Sequence, residues 1–146
     1  MQKMAEVMTH EVECCSEQDS IQKVAQMMRE HNVGLIPIVE GRQLKGVVTD
    51  RDIVLRCVAE GKSLDEPCST IMSSGEMVCC TPETTTDEAA ELMAKHQIRR
   101  LPVVESENSR RLIGIVAIGD LAVRQPYVNE AGEALSGISE SKSTLH

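Results

Sequence analysis

The chain repeats itself. The stretch H-N-V-G-L-I-P-I-V at 31–39 returns 65 positions later as H-Q-I-R-R-L-P-V-V at 96–104. Cys14-Cys15 returns as Cys79-Cys80 at the same offset. The stretch G-V-V-T-D-R-D-I at 46–53 returns as G-I-V-A-I-G-D-L at 114–121, now offset by 68. The three extra residues are read into a polar turn at 106–109, where insertions cost little. An internal duplication constrains the fold more than any single residue, because two similar units must share one architecture. It also makes each copy a control for the other.

Each copy is about 60 residues, a size at which a separate core is marginal. The copies are therefore expected to bury their apolar faces against each other. A hydrophobic content of 41% supports a core, and that core is aliphatic: no Trp, no Phe, one Tyr (Tyr127) and eight Met. A ligand that depends on aromatic stacking is poorly served. The net charge of −8 argues against a sequence-blind nucleic-acid binder, which needs a basic face. No apolar run approaches the roughly 18 residues of a membrane span. Residues 1–13 lack the uninterrupted apolar core of a signal peptide. The expectation is a cytoplasmic chain with no membrane partner.

Six cysteines stand at 14, 15, 57, 68, 79 and 80. None forms C-x-x-C, and vicinal pairs are poor zinc spacing. Their matched repeat positions favour small buried side chains in a reducing compartment over metal binding or redox sensing.

Each copy reads as β-α-β-β-α. In the first, 11–15 is a strand and Asp19 or Ser20 can cap a helix. Ile21, Val24, Ala25 and Met28 then recur at helical spacing. That helix ends near His31-Asn32. Strands follow at 35–39 and 44–49, with Pro37 suggesting an edge or an irregular pairing. A helix at 50–60 stops at Gly61. In the second copy, 78–80 is a strand and Thr85 or Thr86 caps a helix. Thr85 and Glu88 have capping-box spacing. Strands follow at 100–104 and 112–116, and a helix starts at Asp120. The segment Val7-Met8-Thr9 is echoed by Ile71-Met72-Ser73. Helix, strand, strand, helix makes an α/β layer with one helical face. The open sheet faces of two copies can pack across a pseudo-twofold axis.

Chemistry concentrates where the second strand of each copy runs into a helix. A helix start offers free N–H groups and partial positive charge to an anion. Thr49 adds a hydroxyl there, and Asp52 suits a pair of ribose hydroxyls. Equally, Thr49, Asp50 and Asp52 can simply cap the helix. The second copy keeps Asp120 but has Ala117 for Thr49 and Gly119 for Arg51. Arg99-Arg100 replace Gly34-Leu35, and adjacent guanidinium groups suit phosphate oxygens. A solvated, salt-bridged arginine pair fits the same residues. His31 and His96 both fall at helix C-termini, which a histidine favours through the dipole. No metal or catalytic spacing is present, so no enzyme activity is expected.

The paired L/I-P-[IV]-V stretches at 35–39 and 100–104, the G-[VI]-V-[TA]-x-x-D stretches at 46–52 and 114–120, and the V/I-M-[TS] openings resemble the CBS domain in its tandem form, the Bateman module. The resemblance covers about residues 3–125. It implies two repeats packed through their sheets with pseudo-twofold symmetry. It implies a regulatory module binding an adenine nucleotide (AMP, ADP or ATP), with S-adenosylmethionine ranked behind, and a homodimer acting on an enzyme or transporter. In that family the threonine and aspartate matched by Thr49 and Asp52 contact phosphate and ribose, and each cleft is shared between copies. On that pattern Asp120 faces Gly34 and Leu35, whose small glycine leaves room for a base. Thr49 and Asp52 face Arg99 and Arg100. The Asp120 cleft is then the roomier, with Arg51, Arg99 or Arg100 reaching the phosphates. The resulting division is a first repeat at 3–61, a linker at 62–74, a second repeat at 75–125, a C-terminal helix at 126–138 and a disordered tail at 139–146. The competing functions are an interaction module with vestigial clefts and a cysteine-based redox sensor.

Overall fold

The computed structural model describes residues 2–74 and 78–122. The expected C-terminal helix at 126–138 and tail at 139–146 lie outside the described residues. The chain is mixed α/β and divides into two compact units, one formed mainly by residues 13–74 and the other by 2–12 and most of 78–122.

In the first of these, helix α2 (Ile21–His31) begins at Ser20, whose hydroxyl accepts from the Lys23 amide. It ends at Asn32, in the left-handed region at φ 53°, a conformation that asparagine tolerates better than most residues. Strands β1 (Leu35–Glu40) and β2 (Gln43–Thr49) form an antiparallel hairpin that pairs Leu35 with Thr49, with an irregularity between Ile38 and Val39. The expected opening strand reduces to one parallel bridge from Cys15 to Ile38. The Cys15 amide donates to the Pro37 carbonyl at 3.1 Å, and the Val39 amide donates to Cys15 at 2.8 Å. Pro37 thus offers an acceptor on the side where it has no N–H to lose.

The helix expected at 50–60 starts as α3 (Asp50–Asp52) and continues through Ile53–Val58 in π geometry. The Ala59 amide reaches back to Val54 and the Lys62 amide to Cys57, each across five residues. Gly61, at φ 69°, ends the turn, as its missing Cβ allows.

The second unit repeats the scheme. Helix α4 (Thr86–His96) carries a complete capping box between Thr85 and Glu88. Strands β3 (Arg100–Ser106) and β4 (Ser109–Ala117) follow, then α5 (Ile118–Ala122). The opening strand again reduces to one bridge, Cys80 to Val103, with hydrogen bonds of 2.9 and 2.8 Å matching those at Cys15. The three inserted residues do not enlarge a loop: both strands lengthen and only 107–108 turn. Residues 110–112 of β4 group with the first unit, where Arg111 pairs with Gln43.

The V-M-T and I-M-S segments complete the cores. Met4 and Val7 of α1 (Met4–Val7) pack with Ala89, Met93, Leu101, Val103, Val116 and Leu121. Cys68 and Ile71 pack with Ile21, Val24, Ile36, Ile38 and Val48. So the opening segment that the sequence order groups with the first repeat fills the core of the second. Burying each such aliphatic side chain is worth about 1.5–3 kcal/mol, which is why these segments dock. Glycine makes the docking possible. A Cβ at Gly46 would lie 2.7 Å from the Ser73 carbonyl oxygen, and one at Gly114 would lie 3.0 Å from that of Thr9.

Candidate functional site

The end of β2 brings four of the expected residues together. Leu35 and Thr49 are register partners. The Asp50 amide donates to the Gly34 carbonyl at 3.0 Å, which ties the start of β1 to the start of α3. The Thr49 hydroxyl accepts from the Asp52 amide at 3.1 Å, and Asp52 Oδ2 accepts from the Thr49 amide at 2.9 Å. The capping role weighed for these residues is therefore real. It leaves the Thr49 hydroxyl hydrogen able to donate and Asp52 Oδ1 able to accept.

The space beside Gly34 is occupied from within its own unit. A Cβ there would sit 3.1 Å from Asp50 Oδ2, and Asp50 Oδ1 in turn accepts from the Arg51 amide at 2.8 Å. Gly34 makes room for a carboxylate. Arg51 is exposed.

The second unit reproduces the frame with different chemistry. The Ile118 amide donates to the Arg99 carbonyl at 2.8 Å, as Asp50 does to Gly34. Asp120 Oδ2 accepts from the Ala117 amide at 2.9 Å, as Asp52 does from Thr49. Ala117 brings no hydroxyl, so half of the cap is lost. Ile118, 6% exposed, stands where the first unit has exposed Asp50. Arg99 is exposed and Arg100, half-buried, opens β3.

Two residues near Asp52 escape a reading of the motifs alone. Ser73 Oγ lies 3.5 Å from Asp52 Oδ1, and Arg56 Nη1 lies 3.9 Å from it. The spacing of Asp52 and Arg56 on one helical turn was the available signal for the second contact. His31 closes α2, and its Nε2 lies 3.5 Å from Glu13 Oε2.

The cysteines are free. Burial pushes the Cys15 and Cys80 thiols up to about 12 and Cys68 to about 11. Such thiols hold little thiolate near neutral pH. Among the described residues, no group of three or more His, Cys, Asp or Glu side chains could hold a metal ion, and no helix is long and apolar enough to cross a membrane.

Two helix–hairpin–helix units, each with an aspartate pinned to the backbone at a helix start, define a duplicated α/β module. The CBS domain model matches residues 4–58 and 68–127, and the chain belongs to that family. It is 48% identical over 139 residues to the CBS domain-containing protein YhcV of Bacillus subtilis, covering 95% of this chain and 96% of that one. It is 32% identical over 122 residues to hypoxic response protein 1 of Mycobacterium tuberculosis, covering 83% of each. Among solved structures it resembles hypoxic response protein I with two coordinated zinc ions (TM-score 0.75, 31% identity, 86% of this chain and 100% of that one). It also resembles a CBS domain protein of Pyrobaculum aerophilum complexed with AMP (TM-score 0.74, 28% identity, 90% and 98%).

Proposed function

We propose that this chain is a regulatory module that binds an adenine nucleotide and passes its occupancy to a partner protein. The observation that carries this reading is the shared pose of Asp52 and Asp120. In both repeats one carboxylate oxygen is fixed by a backbone amide at 2.9 Å, at the start of a helix. A carboxylate so held is oriented in advance for a pair of ribose hydroxyls, and the helix start favours the phosphate. Thr49 donates its remaining hydroxyl hydrogen to a phosphate oxygen. Arg51, Arg99 and Arg100 neutralise phosphate charge, and the Gly34–Leu35 segment is assigned to the base, on condition that the Asp50 carboxylate beside Gly34 swings away. AMP is the first candidate, because a structural relative is complexed with it. ADP and ATP follow, and S-adenosylmethionine ranks behind them. The module acts as a homodimer in the cytoplasm on an enzyme or transporter and performs no reaction of its own.

The two repeats are not equivalent in this reading. Ala117 and Gly119 remove a hydroxyl and a cation from the second strand end, whereas Ile118 makes it more apolar. The same losses support a second reading, an interaction module whose clefts are vestigial. The thiols held up to about 11–12 by burial weigh against a redox sensor.

A thermal-shift panel of AMP, ADP, ATP and S-adenosylmethionine separates the readings. A ligand at a hundredfold excess over its Kd adds about 2.7 kcal/mol to the folded state, enough to raise Tm by several degrees. Calorimetry on Asp52→Ala and Asp120→Ala then assigns the site. No shift with any nucleotide overturns the nucleotide reading, and two equal sites overturn the asymmetry.

A further inference from the structure

The contacts of Asp52 reach the chain that leads into the second repeat. Asp52 is an acceptor with a limited number of places. Its Oδ2 is occupied by the Thr49 amide at 2.9 Å. Its Oδ1 faces two donors, the Ser73 hydroxyl at 3.5 Å and Arg56 Nη1 at 3.9 Å. A carboxylate oxygen has two lone pairs, so a ligand diol seeking Oδ1 competes directly with Ser73 and Arg56.

Those two donors are not loose. Arg56 Nη1 donates to the Ile71 carbonyl at 3.0 Å and lies 3.4 Å from that of Met72. It also lies 3.5 Å from Ser73 Oγ. The same segment is joined to β2 by paired hydrogen bonds between Val47 and Ser73, 3.0 and 2.9 Å long. One guanidinium therefore touches the aspartate and three successive residues of the 71–73 segment. The contacts to Asp52 are long, and the Arg56 side chain is 51% exposed while that of Asp52 is 14% exposed. Long solvated contacts are easily exchanged for shorter ones to a bound hydroxyl.

We propose that Arg56 and Ser73 form a latch that reports occupancy of Asp52 to residues 71–73. This rests on the nucleotide reading above. When a ribose takes Oδ1, Ser73 loses its acceptor and Arg56 turns from the aspartate. The 71–73 segment then loses part of its fastening. Arg56 acts here as a positioning residue, through Asp52 and the segment.

Hydrogen exchange on the full chain, with and without AMP, tests this. AMP is expected to speed exchange at the Met72 and Ser73 amides while the rest of the repeat is unchanged or slowed. Ligand-free Arg56→Met should show the faster rate already, with no further increase on adding AMP. Ser73→Ala removes a competitor without changing charge and should bind AMP about threefold tighter, the size of a long, partly exposed polar contact. AMP binding with unchanged exchange at 72–73, or with unaltered affinity in Ser73→Ala, overturns the latch and leaves the nucleotide reading standing. No nucleotide binding at all overturns both.

Discussion

Thr49 and Asp52 grip each other twice, hydroxyl to amide at 3.1 Å and carboxylate to amide at 2.9 Å. Ala117 and Asp120 keep only the second of these bonds. The repeats thus contain a natural half-deletion of a helix cap. Thr49→Ala is expected to lower stability by about 1 kcal/mol, as loss of a capping hydroxyl does. Ala117→Thr restores the missing group and should stabilise by up to a similar amount. Urea denaturation of both variants checks this, and a less stable Ala117→Thr would show that the two helix starts are not equivalent.

Thr86 is the one polar residue among the described ones that is buried, at 1% exposure, and its hydroxyl has no hydrogen-bond partner there. The first repeat places fully buried Ile21 at the matching position. Both backbone amides are satisfied, by Gln2 and Glu66 respectively, so only the hydroxyl is stranded. Burying such a group costs about 1–3 kcal/mol. Thr86→Val should therefore raise Tm by a few degrees in calorimetry; an unchanged or lower Tm would refute the repeat-based argument.

Gly46→Ala should be among the most damaging single methyl additions in the chain. Its Cβ would meet the Ser73 carbonyl oxygen at 2.7 Å, a backbone atom that cannot swing away. At Gly114 the nearest obstacle is the Met8 sulfur at 2.9 Å, which can move, with the Thr9 carbonyl behind it at 3.0 Å. Overpacking of this kind typically costs about 1–3 kcal/mol, and the order expected is Gly46→Ala worse than Gly114→Ala. Gly119→Ala meets nothing within 4 Å and should be neutral or slightly stabilising. Chemical denaturation of the three variants gives the ranking directly.

The raised thiols make stability fall in alkali. Cys15, Cys68 and Cys80 ionise near 9 when unfolded but only at about 11–12 when folded. Above pH 9 the unfolded chain sheds protons that the folded chain keeps, so stability drops as pH rises. Below pH 9 both states hold those protons and the effect vanishes. A urea midpoint that these thiols leave flat to pH 9 and depress beyond it is expected. Replacing the three cysteines by alanine should flatten the alkaline fall while lowering stability overall. In the native protein, half-buried Cys14 and Cys79 should alkylate before the other four.

Much of this fold is readable in the residues because the punctuation is local. Ser20 and Thr85 start helices, Asn32 and Gly61 end them, and the duplication supplies each element with a second witness. The opening strands are not readable. Cys15 and Cys80 each make a single bridge, fixed by a carbonyl two elements away, and no local pattern distinguishes one bridge from a ladder. The π geometry of Ile53–Val58 leaves no signal in its apolar run either. At the candidate site, the motifs give Thr49, Asp52 and Asp120 directly. They miss Asp50 against Gly34, and Ser73 against Asp52, because those partners lie in other motifs and only tertiary packing joins them.

The placement of Met4 and Val7 in the core built around α4, and of Cys68 and Ile71 in the core built around α2, separates the unit of duplication from the unit of folding. A gene encoding one repeat alone would specify a body with an open slot and a plug shaped for its neighbour's. Two such chains could satisfy each other only by exchanging plugs. The tandem arrangement carries that exchange within one polypeptide: excising 4–58 removes Met4 and Val7 from the second core, and excising 68–127 removes Cys68 and Ile71 from the first.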